Sequence, residues 1–197
     1  DCSAGTDSGF VMESQADLTV ILFKGNSMKP ALILIDVQND YFQGGANPLE
    51  GAEQAGDNAG LVLNRCRLTD LSIVHIQHIA IRPEAGFFLP DTSGVQIHHS
   101  VTPLPTERII IKHYPNSFRE TDLLECLKSN GIDHLIVAGM MTHMCVDATV
   151  RAAADFGFKC TLIGDACATR SLEINGISIS AGDVHHSFLA ALNYFYA

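Results

Sequence analysis

The chain lacks any apolar run that approaches the roughly 20 residues needed to cross a bilayer, so the sequence predicts no transmembrane segment. It is also poor in basic residues, with 12 Lys and Arg against 22 Asp and Glu and a formal net charge of -10. Nucleic acids and anionic membranes both favour a basic surface. The composition therefore argues against both as partners and favours a small-molecule ligand.

The cysteines lack CxxC spacing and the density of a disulfide scaffold. The chain contains 6 of them, at positions 2, 66, 126, 145, 160 and 167. Such a pattern indicates reduced thiols rather than a secreted, disulfide-stabilised fold. We therefore expect a cytoplasmic protein.

The first 27 residues differ from the rest of the chain. They lack an initiating Met and begin with a polar stretch, whereas Met28 precedes the first long strand pattern. We predict that residues 1–27 are an N-terminal extension or a cloning remnant, in which 18–23 could add an edge strand. Residues 28–197 are predicted to form one globular domain, because 197 residues with 47% hydrophobic content suffice for a single α/β core.

From residue 30 onward, strand-like and helix-like segments alternate. The strand candidates are apolar on both faces, which is typical of a buried parallel sheet. They are 31–35, 72–77, 108–111, 134–138 and 159–163. The predicted fold class is α/β, a three-layer Rossmann-like fold with a mostly parallel sheet of about six strands and helices on both faces.

Helices are predicted at 51–67, at 120–129 and at 181–195. The second follows a capping-box pattern formed by Ser117 and Glu120. An Asn175-Gly176 pair indicates a small hairpin before the last helix. Residues 79–106 show no periodicity, and long irregular segments of this kind often contribute to function.

Three reactive side chains follow predicted strands: Asp36, Lys112 and Cys145. Ligands of open α/β sheets bind outside the carboxyl ends of the strands, so we expect these groups to meet. Cys145 is predicted at a helix N-terminus, where the macrodipole can lower a thiol pKa to roughly 3.5–7.5. A nucleophilic thiol needs a base, which Asp36 can supply, and a cation, which Lys112 can supply. A structural salt bridge and a merely buried cysteine are the alternatives.

Three segments carry a resemblance to a known family: 34–42 (LIDVQNDYF), 112–118 (KHYPNSF) and 137–146 (VAGMMTHMCV). Together and in this order, the chain resembles the isochorismatase-like cysteine hydrolases, which include nicotinamidases and carbamoyl-amide hydrolases. The resemblance spans about residues 30 to 195.

The resemblance implies an Asp36–Lys112–Cys145 triad that hydrolyses a small C–N amide-type substrate through a thioester. It implies a cis peptide between Met140 and Met141, and an oxyanion hole formed by the backbone N–H groups of Met141 and Cys145. It further implies no cofactor and a homo-oligomer, a dimer or larger. Nicotinamidases of the family carry an Asp-x-His metal pattern, but residues 43–56 contain no histidine, so we predict no metal of that type.

Candidate substrate-binding residues are Tyr41, Phe42, Phe118 and His143, because they lie next to the motif residues and can form aromatic or polar walls. Two other functions stay open. The first is a vinyl ether hydrolase of the isochorismatase type in which Cys145 is incidental. The second is a non-catalytic, redox-responsive oligomer that uses Cys145 as an oxidisable thiol.

Overall fold

A six-stranded parallel sheet forms the centre of the fold. The structure, a computed structural model, describes residues 10–12, 28–69, 71–82 and 84–197. The sheet strands are β1 (Phe10–Met12), β2 (Pro30–Ile35), β3 (Ser72–His78), β4 (Arg108–Lys112), β5 (His134–Met140) and β6 (Lys159–Ala168). Their spatial order is β1-β6-β5-β2-β3-β4, and every neighbouring pair is parallel.

Helices cover both faces of this sheet. They are α1 (Ala52–Arg67), α2 (Leu123–Ser129), α3 (Asp147–Asp155) and α4 (Ala181–Phe195). One buried cluster contains α1, and the other contains residues of α2, α3 and α4. Strand β2 contributes alternately to both, with Leu32 and Leu34 on the α1 side and Ile33 on the other. The predicted three-layer α/β fold is confirmed.

The strand order reverses at β2. From β2 the chain continues to β3 and β4 on one side, and then returns to β5 and β6 on the other. Such a reversal opens a crevice at the carboxyl ends of the two central strands, here β2 and β5. Among the described helices, none has both the length and the apolar character that a bilayer-spanning segment requires.

The predicted capping box at Ser117 is wrong. Helix α2 begins at Leu123 rather than at 120, and Glu120 has a left-handed backbone with φ of 56° that cannot start a helix. The Ser117 side chain contacts Thr149 Oγ1 on α3 at 2.8 Å instead. A local pattern was therefore overridden by a tertiary hydrogen bond between buried hydroxyl groups.

The predicted hairpin is confirmed, and the role of the irregular segment 79–106 stays a prediction. Strands β7 (Leu172–Ile174) and β8 (Ile177–Ile179) form an antiparallel hairpin around Asn175 and Gly176, which both have positive φ. The long segment 79–106 packs against the residues that follow β2, where the Asp40 carboxylate accepts a hydrogen bond from the backbone N–H group of Phe88 at 2.6 Å.

Part of the N-terminal segment is paired with the sheet, because β1 lies parallel to β6. The predicted edge strand at 18–23 lies outside the described residues. The division at residue 27 stays a prediction.

Candidate active site

Four polar side chains converge at the carboxyl ends of four adjacent strands. Asp36 follows β2, His78 ends β3, Lys112 ends β4, and Cys145 follows β5. In space these strands lie in the order β5-β2-β3-β4. The structure therefore brings the three predicted residues together at the crevice and adds a histidine that the sequence analysis missed.

Asp36 and Lys112 form a buried ion pair. Lys112 Nζ lies 2.7 Å from Asp36 Oδ2, and both side chains are fully buried. Burial alone lowers the pKa of Lys112, but the Asp36 carboxylate and the nearby Cys145 sulfur outweigh it, so the pKa is raised and the amine stays charged. Asp36 has a left-handed backbone with φ of 51°, an unfavourable conformation for a non-glycine residue that points its carboxylate into the site.

The Cys145 thiol is the third member. It lies in a π-helical turn, Thr142–Val146, that links β5 to α3. Its sulfur, an Asp36 carboxylate oxygen and a His78 ring nitrogen all lie within 4.8 Å of one another. The side chain is nearly buried, with 5% of the residue exposed.

The expected lowering of the Cys145 pKa is wrong for the resting site. Burial raises this pKa, the Asp36 charge raises it further, and the Lys112 charge opposes both without reversing them. The helix α3 begins only at Asp147, so the sulfur sits inside the preceding turn rather than at its first free N–H groups. At rest the site therefore holds a neutral thiol beside a carboxylate that can accept its proton.

His78 was missed although a signal was present. It directly follows the predicted strand 72–77, the same position that selected Asp36 and Lys112. Its Nδ1 lies 3.1 Å from Lys112 Nζ, and 17% of its side chain is exposed. Of the four groups it is therefore the one with most access to solvent.

Asp36, His78 and Cys145 are also a donor set that can bind a metal ion. However, Lys112 Nζ already lies against one oxygen of Asp36, Oδ2, and one ring nitrogen of His78, Nδ1. The donor atoms therefore surround an ammonium group that the chain itself supplies. The absence of a metal stays a prediction.

Two of the predicted substrate-binding residues flank the site. Tyr41 is buried, and its pKa is raised first by burial and then by the nearby Cys145 and Asp36. His143 is half-buried in the π-turn, where its Nδ1 contacts Thr169 Oγ1.

The other two belong to the hydrophobic cores. The Phe42 ring stacks on His98 with centroids 3.5 Å apart, and Phe118 packs against Phe156 and Phe158. Both rings are buried by these contacts rather than by residues of the triad. A role of these two residues in substrate binding stays a prediction.

The turn before Cys145 has an unusual backbone. The Met140–Met141 peptide bond is cis. The Met141 carbonyl accepts hydrogen bonds from the N–H groups of Met144 and Val146, which closes the π-turn. Immediately upstream, Gly139 has φ of 135°, and a Cβ there would lie 2.0 Å from Ile35 O, so only glycine allows β5 to approach β2 so closely.

A cavity of ≈ 490 Å³ lies on the same side of the molecule as the 79–106 segment. It is lined by residues within 39–46 and 86–94. Asp36, Lys112 and Cys145 are not among its lining residues. The triad is therefore not part of the wall of this cavity.

Comparison with known proteins shows which family the chain resembles in sequence and in structure. A family model described as isochorismatase domain matches residues 30–183. The isochorismatase family protein YddQ of Bacillus subtilis is 48% identical over 170 residues, which cover 86% of this chain and 94% of YddQ.

A crystal structure of an isochorismatase hydrolase from Oleispira antarctica superposes with a TM-score of 0.83 at 45% identity, covering 88% of this chain and 93% of that one. The nicotinamidase of Escherichia coli is 26% identical over 200 residues, with 81% of this chain and 89% of that enzyme covered. The chain therefore belongs to the isochorismatase family of hydrolases.

Proposed function

We propose that the protein is a cysteine-dependent hydrolase that cleaves the C–N bond of a small amide-type substrate. The observation that carries this proposal is the convergence of Asp36, Lys112 and Cys145, three groups from distant parts of the chain, in one buried cluster. A structural ion pair alone would not require a thiol beside it. A relative that is by name a nicotinamidase supports an amide as the substrate.

The first half of the reaction forms a thioester. Asp36 takes the proton of the Cys145 thiol, and the sulfur attacks the amide carbonyl carbon. We assign the backbone N–H groups of Met141 and Cys145 to the oxyanion, where each donor is worth roughly 3 kcal/mol of barrier. Collapse of the tetrahedral intermediate breaks the C–N bond, and Asp36 returns the proton to the departing nitrogen.

The second half releases the acid. The ionised Asp36 accepts a proton from a water molecule, whose oxygen attacks the thioester carbonyl. The sulfur leaves and regains its proton from Asp36, which restores the resting thiol. Throughout, Lys112 keeps a positive charge beside the carboxylate and the sulfur, which favours the thiolate whenever it forms.

The raised pKa of Cys145 bears on the redox alternative. Oxidation depends on the thiolate that is present at rest, which burial and the Asp36 charge suppress, whereas in hydrolysis Asp36 accepts the thiol proton as the substrate is attacked. A vinyl ether hydrolase of the isochorismatase type would not use the Cys145 thiol in its reaction. The pKa of Cys145 and its position beside Asp36 therefore both favour the amide hydrolase.

The decisive experiment compares Cys145→Ala with Cys126→Ala, a half-buried thiol on α2, as the matched control. Both variants and the wild type are incubated with nicotinamide and a panel of small primary and carbamoyl amides. We expect wild type and Cys126→Ala to release ammonia or amine and, after acid quench, to show an acyl adduct on Cys145 by mass spectrometry. Turnover retained by Cys145→Ala would refute the thioester route.

Tyr41 and His143 are proposed as substrate contacts, since both flank the triad. We also propose a cytoplasmic homo-oligomer whose domain spans 28–197. Exposed apolar side chains on the edge strand, Ile109 at 47% and Ile111 at 49%, support association because lone chains rarely present such rows to water. Light scattering coupled to size exclusion tests this, and a monomer at micromolar concentration would contradict it.

A further inference from the structure

The ammonium group of Lys112 lies in a cage of acceptors. Its Nζ contacts Asp36 Oδ2 at 2.7 Å, His78 Nδ1 at 3.1 Å, Tyr114 O at 3.1 Å and Pro115 O at 3.4 Å. An ammonium has three hydrogens and no lone pair, so it can only donate, and these four atoms share its three hydrogens. His78 is therefore a side-chain partner of the catalytic lysine, from a strand that lies between those of Asp36 and Lys112.

The contact fixes the protonation state of His78. Since Lys112 donates, Nδ1 must be unprotonated and the remaining ring hydrogen lies on Nε2. The surroundings agree: burial lowers the pKa of His78 to about 4, the Lys112, His113 and Arg82 charges lower it, and only Asp36 opposes them. The ring is therefore a neutral acceptor at physiological pH.

The backbone of His78 is held rigidly. The buried side chain of Gln38 accepts a hydrogen bond from the His78 N–H at 2.8 Å and donates one to the His78 carbonyl at 2.9 Å. The same amide group donates to Val95 O at 2.7 Å, which ties the segment 79–106 to the end of β3. On its ring side His78 lies beside Phe88, with centroids 5.7 Å apart.

We propose that His78 is a positioning residue for Lys112: its neutral Nδ1 holds the ammonium between Asp36 and Cys145 and thereby supports formation of the Cys145 thiolate. The inference deepens the proposed function and rests on it in assigning Cys145 as the nucleophile. It also gives segment 79–106 a role, because Phe88 and Val95 fix the strand end that carries the ring.

Loss of the acceptor has a specific consequence. Without Nδ1, the ammonium loses one of its two side-chain acceptors, and it can shift toward the Tyr114 and Pro115 carbonyls on its own strand end, which are still able to accept its hydrogens. Its charge then acts less directly on the sulfur. Since each unit of thiol pKa changes the thiolate fraction tenfold below that pKa, a small shift of the ammonium is measurable.

The test measures alkylation of Cys145 by iodoacetamide, followed by peptide mass spectrometry at about pH 8. His78→Leu removes the acceptor at similar volume, and His78→Asn keeps an acceptor oxygen near the position of Nδ1. The control is His186→Leu, at an exposed position on α4. We expect alkylation to slow about tenfold in His78→Leu, by less than about threefold in His78→Asn, and not at all in the control.

Two outcomes would overturn the proposal: an unchanged alkylation rate in a folded His78→Leu, or equal slowing in His78→Leu and His78→Asn. If His78→Leu does not fold, His78→Gln replaces it, because its longer side chain carries the acceptor beyond the Nδ1 position, and the same difference from His78→Asn is required.

Turnover adds a second readout. On any amide that the wild type hydrolyses, we expect kcat to fall in His78→Leu with KM little changed, and His78→Asn to restore most of it, since the effect acts through Lys112 rather than through substrate binding. The alkylation rate reports on the Lys112–Cys145 contact whether or not an amide is turned over. Failure of the proposed hydrolysis and failure of the His78 role are therefore separate results.

Discussion

Replacing Lys112 with Met tests the charge balance of the site. The substitution keeps most of the aliphatic side chain and removes the ammonium, so that the fully buried Asp36 loses its counter-ion. Asp36 Oδ1 has no hydrogen-bond partner among the described residues, so the lost ion pair is not replaced by another contact. The carboxylate of the variant must be either an unpaired buried charge or protonated.

The expected cost follows from that burial. Removing one partner of a buried ion pair destabilises a protein by about 3–5 kcal/mol, whereas an exposed lysine contributes within about 0.5 kcal/mol. Lys128→Met, at an exposed position near the end of α2, is the matched control. The double variant Asp36→Asn with Lys112→Met is expected to recover more than half of the loss, because it leaves no buried charge.

The loss should depend on pH in a defined direction. In Lys112→Met, folding favours the protonated carboxyl group, so the folded state binds more protons than the unfolded state and stability falls as pH rises. In the wild type, the raised pKa of Lys112 gives a contribution that is fully present below its ordinary pKa of 10.5 and is lost only as pH rises through the folded value. Between about pH 5 and 8 the change therefore comes from the variant alone.

Urea denaturation followed by circular dichroism at several pH values measures both effects. We expect the gap between wild type and Lys112→Met to widen from about pH 5 to about pH 8, while Lys128→Met follows the wild type. A gap below about 1 kcal/mol at neutral pH, or a double variant no more stable than Lys112→Met, would show that the pair is not the buried, mutually dependent unit described above.

Two further predictions concern the scaffold. Gly139→Ala is expected to lose about 3–5 kcal/mol of unfolding free energy, because its φ is positive and the new Cβ meets Ile35 O at 2.0 Å. The control Gly176→Ala also has a positive φ but open space around the new Cβ, so it should lose about 1 kcal/mol. Urea denaturation midpoints compare the two variants, and similar losses would count against the clash at Gly139. Burial raises the pKa of Glu107, but the Arg67 guanidinium and other donors outweigh it and hold the pKa at about 2. The ionised carboxylate of Glu107 therefore stabilises the folded state above the ordinary pKa of 4.5, and this stabilisation is lost as pH falls toward about 2. Glu107→Gln should lower the free energy of unfolding by about 2 kcal/mol at neutral pH, and its melting temperature should fall less between about pH 4.5 and pH 2 than that of the wild type. An equal fall in melting temperature in both proteins would contradict this role of Glu107.

The sequence by itself determined the architecture because its signals are local. Strand segments apolar on both faces are typical of a parallel sheet that is covered by helices on both sides. The Asn175-Gly176 pair fixed a hairpin since both residues tolerate positive φ. The position of Asp36, Lys112 and Cys145 at strand ends predicted that they would meet.

Tertiary structure decided whatever depends on contacts between distant segments. Strand β4 is an edge strand, so Ile109 and Ile111 are exposed although their run resembles the buried strands. Ser117 met Thr149 instead of capping a helix. The side chains of Phe42 and Phe118 point into the two hydrophobic clusters, because the direction of a side chain depends on the backbone that carries it and on the side chains that pack against it.

The electrostatics of the site were also beyond the sequence. The helix dipole suggested a lowered thiol pKa for Cys145, but burial and the nearby Asp36 charge raise it. His78 became a partner of Lys112 only because β3 lies between β2 and β4. Sequence periodicity determines which groups reach the edge of the sheet, whereas strand order and burial determine which of them touch and how each is charged, since Coulombic and desolvation energies depend on distances between atoms that lie far apart along the chain.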